Sequence, residues 1–201
     1  MDWQKQNVKV YNDSATEIAA YFQGIGSRVE DIKRGLTLAN KTSTASVVEI
    51  GCGDGRDAKE IIKRVARYTG IDPSEGLLNI AKENNPSGTF ILTDALHYSY
   101  PAQQDVVFAF ASLLHVNRND LSLVFKKVTA ALRPGGIFYI SLKERAEYTE
   151  EIKEDKYGKR MFYYYNPSII NHIASSSFES VYEYHQKIGT TDWFTIALKK
   201  I

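Results

Sequence analysis

The residues with the clearest chemical meaning form one short glycine-rich segment. It consists of Gly51, Cys52, Gly53, Asp54 and Gly55. An apolar run typical of a strand precedes it, and helical spacing follows it. A chain that leaves a strand and bends at once into a helix needs backbone conformations open to glycine, and the missing side chains let a ligand lie against the main chain. The segment predicts a ligand-binding turn, although such a cluster is also found in ordinary glycine-rich loops.

Two aspartates stand where the next strands are predicted to end. Asp72 lies about twenty residues after the first glycine, the place from which a carboxylate accepts hydrogen bonds from both hydroxyls of a ribose. Asp94 closes the third strand, within reach of an adenine amino group. Because aspartate at a strand end is also a common turn residue, the prediction depends on the combination with the glycine segment. Together these residues predict a ligand that contains a ribose.

Parallel strands with crossover helices would bring these residues to one edge. Three apolar runs rich in β-branched residues, over 46–50, 105–111 and 136–142, alternate with stretches of helical spacing. Strands buried on both faces read as such continuous runs. The predicted fold class is α/β, a doubly wound, Rossmann-like sheet preceded by N-terminal helices.

The predicted elements cover most of the chain. Helices are expected over about 14–22, 28–39, 56–66, 74–84 and 120–132 and from Asn166, and strands over about 46–51, 67–72, 88–93, 105–111, 136–142, 178–188 and 191–199. A turn at 133–136 should separate the fifth helix from the fifth strand. The last two strands are joined near Gly189 by a connection too short for a helix, so they should form an antiparallel hairpin. We interpret 1–201 as one domain, with a helical segment over 1–45 and an α/β core over 46–201.

The segments that follow the strands resemble the class I methyltransferases that use S-adenosylmethionine (SAM). In chain order they are Glu49 with Gly51–Gly55, Gly70–Ser74, Asp94–Ala95, Asp105–Val116 and Leu132–Gly136. The resemblance extends over about 47–199. It implies a seven-stranded sheet in the order 3-2-1-4-5-7-6 with the last strand antiparallel, in agreement with the predicted hairpin.

The resemblance also implies a SAM site and assigns its residues. They are Glu49, Gly51, Cys52, Gly53, Gly55, Asp72, Pro73, Ser74, Asp94, Ala95 and Ala111. The glycine segment would hold the amino-acid end of SAM, Asp72 the ribose, and Asp94 with the Ala95 backbone the adenine. Segment 1–45 would fold over the cofactor as a lid, with Tyr11 near the sulfonium as a cation–π contact. A tyrosine in an amphipathic helix more often packs against the core, and that alternative stays open.

A nicotinamide or flavin dinucleotide is the main rival ligand. Its fingerprint, G-x-G-x-x-G/A, asks for a small residue where Arg56 stands. A pyrophosphate would also lie near Glu49, Asp54 and Asp57, and like charges this close are costly. SAM brings an ammonium and a sulfonium instead, which suit these carboxylates. We therefore predict a SAM-dependent methyltransferase that releases S-adenosylhomocysteine (SAH), with a dinucleotide-dependent oxidoreductase or a non-catalytic SAM-binding subunit as alternatives.

The histidines are the candidates for a catalytic base. His115 follows the fourth strand at the ligand-binding edge and is the first candidate, with a packing histidine as the equal alternative. His97 lies among tyrosines, where packing is favoured, and His172 and His185 are interpreted as structural. Cys52 has no evident base partner, so it is not interpreted as a nucleophile.

Substrate selection is expected in 143–165, which is first rich in charge and then aromatic. The alternative for this segment is a solvated helix followed by a buried aromatic strand. No Asn/Asp-Pro-Pro-Tyr/Phe segment follows the fourth strand, where Phe110–Leu113 stands, so the acceptor is predicted to be a small molecule, methylated on oxygen or nitrogen.

Composition excludes several classes of protein. With 25 basic and 24 acidic residues the net charge is +1, so the chain lacks the basic bias of nucleic-acid-binding proteins. The single cysteine excludes an internal disulfide and, with four scattered histidines, argues against a metal site. No apolar stretch approaches the ~20 residues that cross a bilayer, and 1–11 has no signal-type apolar core. We expect a cytoplasmic protein, a monomer or homodimer, without nucleic-acid or membrane partners.

Overall fold

The computed structural model describes residues 2–201. The helices are α1 (Trp3–Asp13), α2 (Ala15–Ile25), α3 (Val29–Leu38), α4 (Ala58–Ile62), α5 (Glu75–Asn84), α6 (Arg118–Ala131) and α7 (Pro167–Ala174). The strands are β1 (Ser46–Ile50), β2 (Arg67–Asp72), β3 (Thr89–Leu92), β4 (Gln104–Phe110), β5 (Leu132–Lys143), β6 (Thr149–Asp155), β7 (Gly158–Tyr164), β8 (Phe178–Ile188) and β9 (Thr191–Lys200). None of these helices combines the length and the apolar character that a bilayer span requires.

Seven strands form one sheet in the order β3-β2-β1-β4-β5-β9-β8. The pairs among β1 to β5 are parallel, whereas β9 runs antiparallel to β5 and to β8. Since β8 and β9 are the sixth and seventh strands of this sheet, the predicted order is confirmed. The predicted α/β, Rossmann-like fold class is confirmed with it.

The sheet is buried on both faces, as its continuous apolar strands predict. One face packs against α6 and α7 through side chains such as Val124 and Ile170. The other face packs against α3 and α4, where Ile32 and Ile61 are fully buried beside Phe108. Two-sided packing holds the strands rigid, so the loops at their carboxyl ends are presented on a fixed frame.

The N-terminal region contains one helix more than predicted. Helix α1 begins directly after Asp2, whose carboxylate caps it by accepting a hydrogen bond from the Lys5 backbone N–H at 3.2 Å. The chain breaks at Ser14 and continues as α2. The prediction that the first helix begins at about residue 14 is therefore wrong. It missed α1 because this helix has too few apolar residues to show a helical period.

Two other predicted boundaries are wrong. Helix α4 covers only Ala58–Ile62 and not 56–66. No turn separates α6 from β5 at 133–136, because β5 starts at Leu132 and absorbs Pro134 through a shift in its register with β4. A strand tolerates proline at such an irregularity, where no ladder hydrogen bond is lost.

Segment 143–165 forms a hairpin that the sequence pattern did not predict. Strands β6 and β7 pair antiparallel as a separate two-stranded sheet. The alternative of a solvated helix is therefore wrong for 149–155, whereas the buried aromatic strand is found as β7, where Phe162 and Tyr164 are buried. Strand β7 packs against α1, so the hairpin and the N-terminal helix form one cover over the carboxyl edge of the sheet.

Candidate active site

The glycine loop leaves β1 with a backbone that only glycine adopts without strain. Gly51, Gly53 and Gly55 have φ values of +70°, +54° and +77°. A Cβ on Gly51 would lie 2.2 Å from the Cβ of Ser112, so the loop packs directly on the segment that follows β4. A Cβ on Gly53 would meet no atom within 4 Å, so the main chain there faces open space. A ligand can therefore approach the backbone at Gly53.

Asp72 is held in one orientation at the end of β2. One carboxylate oxygen accepts a hydrogen bond from the Gly53 N–H at 2.9 Å, and the other accepts one from the Ser74 N–H at 2.8 Å. Each oxygen keeps a free lone pair for a ligand hydroxyl. Burial raises the pKa of Asp72 to about 6. The structure thus ties the acidic residue to the glycine loop, as a ribose site requires.

Asp94 lies at the same edge and is engaged locally. Its Oδ1 accepts hydrogen bonds from the backbone N–H groups of Leu96 and His97 at 2.8 and 2.9 Å. Although burial opposes the shift, hydrogen bonds from His97 hold the pKa of Asp94 below its usual value. The side chain of His97 is 77% exposed, so the predicted packing role is wrong. The rings of Tyr98 and Tyr100 pack against each other instead, 4.8 Å apart.

Buried carboxylates surround the glycine loop. Glu49 accepts a hydrogen bond from the hydroxyl of Tyr68, and burial together with the nearby Asp57 raises the pKa of Glu49 well above its usual value. Asp54 accepts a hydrogen bond from the Gln23 side chain, and burial raises its pKa. This rim favours a cationic group over a phosphate, because like charges repel strongly at low local dielectric.

The sequence analysis missed Arg28, which lies beside the loop at the N-terminal end of α3. Its backbone N–H donates to Asp57 at 2.7 Å, and its guanidinium lies 3.3 Å from the hydroxyl of Ser141 and 5.4 Å from the ring centre of Phe110. It lines the same cavity as the glycine loop. An arginine at the start of a predicted helix carries no signal for a binding role, since only the packing of α3 brings it here.

Tyr11 on the N-terminal helix α1 contacts His115, which follows β4. The Tyr11 hydroxyl lies 2.9 Å from Nε2 of His115 and accepts a hydrogen bond from Arg160 at 3.1 Å. Nδ1 of His115 lies 2.8 Å from the Met161 carbonyl oxygen, which only accepts, so we assign the proton to Nδ1 and let Tyr11 donate to Nε2. Burial lowers the pKa of His115 to about 3. With both ring nitrogens bonded, a role for His115 as catalytic base stays a prediction.

One cavity of about 1230 Å³ joins most of the predicted site residues. Those that line it are Tyr11, Glu49, Gly51, Cys52, Gly53, Asp72, Pro73, Asp94, Ala95, Ala111 and His115. Cys52 is buried, and burial raises the pKa of its thiol, in keeping with a residue that is not a nucleophile. Ala111 has a φ of +52°, a strained conformation for a residue with a side chain, at the point where β4 enters the cavity.

Two predicted site residues do not line the cavity. Gly55 faces α5, where an added Cβ would lie 2.5 Å from Nδ2 of Asn85. Ser74 is buried and caps α5, accepting from the Leu77 N–H at 3.3 Å, while its hydroxyl donates to Asn12 at 2.8 Å. Both residues support the frame of the site, and Ser74 also joins α1 to it.

The far end of the cavity contains residues that the sequence analysis placed only within broad segments or did not mention. Lys143 ends β5, Phe162 lies on β7, and Trp193 lies opposite Lys143 on β9. All three line the cavity. They come from three strands, so no spacing along the chain could indicate that they meet.

Comparison with known proteins agrees with this geometry. Residues 47–136 match a family described as a methyltransferase domain. The trans-aconitate 2-methyltransferase of Rhodopseudomonas palustris strain BisB18 is 34% identical over 103 residues, which cover 50% of this chain and 40% of the relative. The trans-aconitate 2-methyltransferase of Variovorax paradoxus strain S110 is 29% identical over 150 residues, 73% of this chain and 52% of the relative. The chain thus spans about half the length of these curated relatives.

Solved structures share the fold at low sequence identity. A SAM-dependent methyltransferase from Methanosarcina mazei superposes with a TM-score of 0.71 at 18% identity, covering 79% of this chain and 93% of that one. The 1,6-didemethyltoxoflavin-N1-methyltransferase of Burkholderia thailandensis, solved with 1,6-didemethyltoxoflavin and SAH, superposes with a TM-score of 0.74 at 15% identity, covering 98% and 89%. The chain therefore has the fold of these solved methyltransferases, and residues 47–136 are similar to the methyltransferase-domain family.

Proposed function

We propose that this protein binds SAM and transfers its methyl group to a small-molecule acceptor. The observation that carries the proposal is the fixed Asp72 carboxylate, bonded to the Gly53 N–H at the mouth of a cavity that continues to Lys143. One half of that cavity fits an adenosyl group with a cationic tail. The other half has room for a second molecule, since about 1230 Å³ exceeds the roughly 300–1,000 Å³ of a usual single-ligand pocket.

The strand order sets where each ligand lies. The glycine loop, Asp72 and Asp94 follow β1, β2 and β3, which are neighbours in the sheet. Adenosine therefore lies over β1 to β3, and the acceptor over β4 and β5 on the other side of the loop. Neighbouring strands are about 5 Å apart, so Lys143 at the end of β5 lies roughly 10 Å across the sheet from the glycine loop. That separation leaves room for an acceptor beside the cofactor.

The side chains bind and orient, and the cover excludes water. SAM, when bound, supplies a methyl group already activated on a sulfonium. Asp72 accepts from the ribose, the acidic rim around Glu49 attracts the cationic tail, and Arg28 binds its carboxylate. Helix α1 and strand β7 close over the reacting atoms, with Tyr11 facing them. Such positioning and desolvation are the main contributions a protein makes to an in-line transfer.

The two rival functions make different demands on the site. A dinucleotide needs a phosphate site at this loop, but buried carboxylates surround the loop and Arg56 is paired with Asp57. A non-catalytic SAM-binding subunit needs no acceptor site, yet the cavity extends past the loop to Lys143. The curated relatives of this protein are named trans-aconitate 2-methyltransferases, and we propose this organic acid as the first acceptor to test. A cytoplasmic location and a monomeric or homodimeric state stay predictions.

Titration calorimetry with SAH tests the cofactor assignment. We expect Asp72→Ala to fold and to lose at least about tenfold in SAH affinity, because two ribose hydroxyls lose an ionised acceptor. The control is Glu179→Ala, which removes an exposed carboxylate at the start of β8, on the opposite edge of the sheet, and should bind SAH like the wild type. Equal affinity in Asp72→Ala and wild type would remove the assignment. SAH release in the presence of SAM and an acceptor then separates an enzyme from a binding subunit.

A further inference from the structure

The acceptor half of the cavity contains an ammonium group enclosed by aromatic rings. Nζ of Lys143 lies 3.9 Å from the ring centre of Phe162 and 5.8 Å from that of Trp193. The lysine is half-buried, and its pairing with Trp193 across β5 and β9 fixes its backbone. Cation–π contacts stabilise a desolvated ammonium in part, but they do not neutralise its charge.

Within residues 2–201, Lys143 has no hydrogen bond or ion pair through its ammonium. The acidic residues near it are already engaged. Glu151 pairs with Arg145 at 2.6 Å and with Lys153 at 3.5 Å, and Asp155 pairs with Arg160. Burial, followed by repulsion from Lys153 and Arg160, lowers the pKa of Lys143 to about 8. A half-buried cation without an anionic partner is costly, and a bound anion would remove the cost.

Other cations along the cavity wall differ from Lys143. Lys5, Lys9, Arg56 and Arg160 each pair with an aspartate. Lys156 has no such pair in the described part of the chain, but it is exposed and lies 4.7 Å from the ring centre of Tyr157 at the hairpin turn. Lys143 therefore stands out as an enclosed cation that faces the acceptor.

Charge is distributed unevenly along the cavity. Buried carboxylates lie around the glycine loop, whereas Lys143, Arg160 and the neutral His115 lie at the far end. An amine acceptor there would meet Lys143 on one side and a sulfonium on the other, and both repel it when it is protonated. An anionic acceptor is attracted by both.

From this arrangement we infer that Lys143 binds a carboxylate of the methyl acceptor, so that the acceptor is a small organic acid. The inference rests on the proposed methyltransferase function and adds to it the residue that selects an acidic acceptor. Lys143 acts as a positioning and specificity-determining residue. The aromatic rings of Phe162 and Trp193 would pack on the carbon skeleton of the acid, which agrees with a site that binds one charged group and an apolar body.

Binding to the SAH complex tests this inference without turnover. The probe is trans-aconitate, titrated calorimetrically into SAH-saturated protein, with its triamide as the uncharged counterpart. We expect the acid to bind and the amide not to bind. Lys143→Met should weaken acid binding on the order of 100-fold, because a charge-assisted contact is lost in an enclosed site, and Lys143→Arg should retain part of it. SAH affinity should stay within about twofold of wild type in both variants.

Controls and turnover make the outcomes distinct. Lys126→Met removes an exposed lysine of α6 that does not line the cavity, and it should leave acid binding and SAH release unchanged. SAH release over organic acids and matched amines should be selective for acids, with Lys143→Met raising KM. If SAH itself fails to bind, the proposed function falls. If SAH binds but amines are the preferred acceptors, or Lys143→Met binds the acid like the wild type, the inference is wrong. The inference would also be wrong if Lys143→Arg bound the acid normally but lost as much kcat as Lys143→Met. That result would indicate that Lys143 transfers a proton.

Discussion

At Asp72 a single carboxylate combines three requirements of the site. The residue is buried, which raises its pKa to about 6, and two backbone N–H groups fix its orientation. A hydroxyl that donates to this carboxylate prefers its ionised form. The protonation state of Asp72 should therefore control cofactor affinity in a range where SAH itself does not titrate.

We predict that SAH affinity falls as the pH is lowered through about 6. With a pKa of about 6, most Asp72 is ionised at pH 7 and roughly one tenth at pH 5, so the dissociation constant should rise about tenfold between these values. Calorimetry at pH 5, 6, 7 and 8 measures it. Asp72→Asn is the matched control, since it keeps the shape of the side chain but cannot titrate. A slope that persists in this variant would assign the effect to Glu49 or Asp54, whose pKa values are also raised.

The same raised pKa has a consequence for stability, with a defined sign. A carboxyl group whose pKa is higher in the folded state favours folding most at low pH, and this contribution is lost as the pH rises from about 4 through about 6. At neutral pH the buried, ionised Asp72 therefore lowers the free energy of unfolding. We expect the proposed ribose contact to offset that cost, since functional carboxylates often have shifted pKa values.

At the scale of elements, the cover of the site depends on one buried amide. Asn7 on α1 accepts a hydrogen bond from the Met161 N–H at 2.9 Å and donates to the Met161 carbonyl at 3.0 Å, so its side chain acts as a strand partner for β7. Tyr11, one turn further on the same helix, continues the contact through His115 and Arg160. The helix and the hairpin therefore close the cavity as a unit.

We predict that Asn7→Ala opens this cover without unfolding the core. The substitution removes the Asn7 partner of the Met161 N–H, at a cost of about 1–3 kcal/mol, whereas the Met161 carbonyl keeps its hydrogen bond from His115. Hydrogen exchange should speed up across α1 and β7 and stay unchanged in β4 and β5. Lys9→Ala is the matched control, because Lys9 is exposed on the same helix and pairs only with Asp13. Unchanged protection of α1 in Asn7→Ala would contradict the role given to this amide.

For the whole molecule, ligand binding should appear as added stability. At 100 times its dissociation constant SAH should stabilise the fold by ~2.7 kcal/mol, which corresponds to roughly 5–10 °C in melting temperature for a chain of this size. Differential scanning fluorimetry measures the shift. NAD at the same concentration should produce none, because the acidic rim repels its pyrophosphate. A shift with NAD as large as that with SAH would support the oxidoreductase alternative.

Sequence determined the part of the protein that depends on local chemistry and on chain order. Continuous apolar strands and the short link at Gly189 predicted a mostly parallel sheet with an antiparallel hairpin, and the strand order was implied by the resemblance to the class I methyltransferases. Asp72 could be assigned because the strand and loop rules place it beside the glycine loop. These features follow from backbone conformations and strand periods, which are properties of short segments.

Tertiary structure decided what lies opposite the cofactor. Lys143, Phe162 and Trp193 come from three strands, and Arg28 comes from a helix that precedes the sheet, so no spacing reveals that they share a cavity. The same holds for Asn7 and Met161, which are 154 residues apart. Contacts of this kind arise from packing between distant segments, and burial then sets the pKa values that decide whether Asp72, His115 and Lys143 carry charge. The proposed acceptor site is therefore a property of the folded chain, whereas the proposed cofactor loop is already recognisable in the sequence.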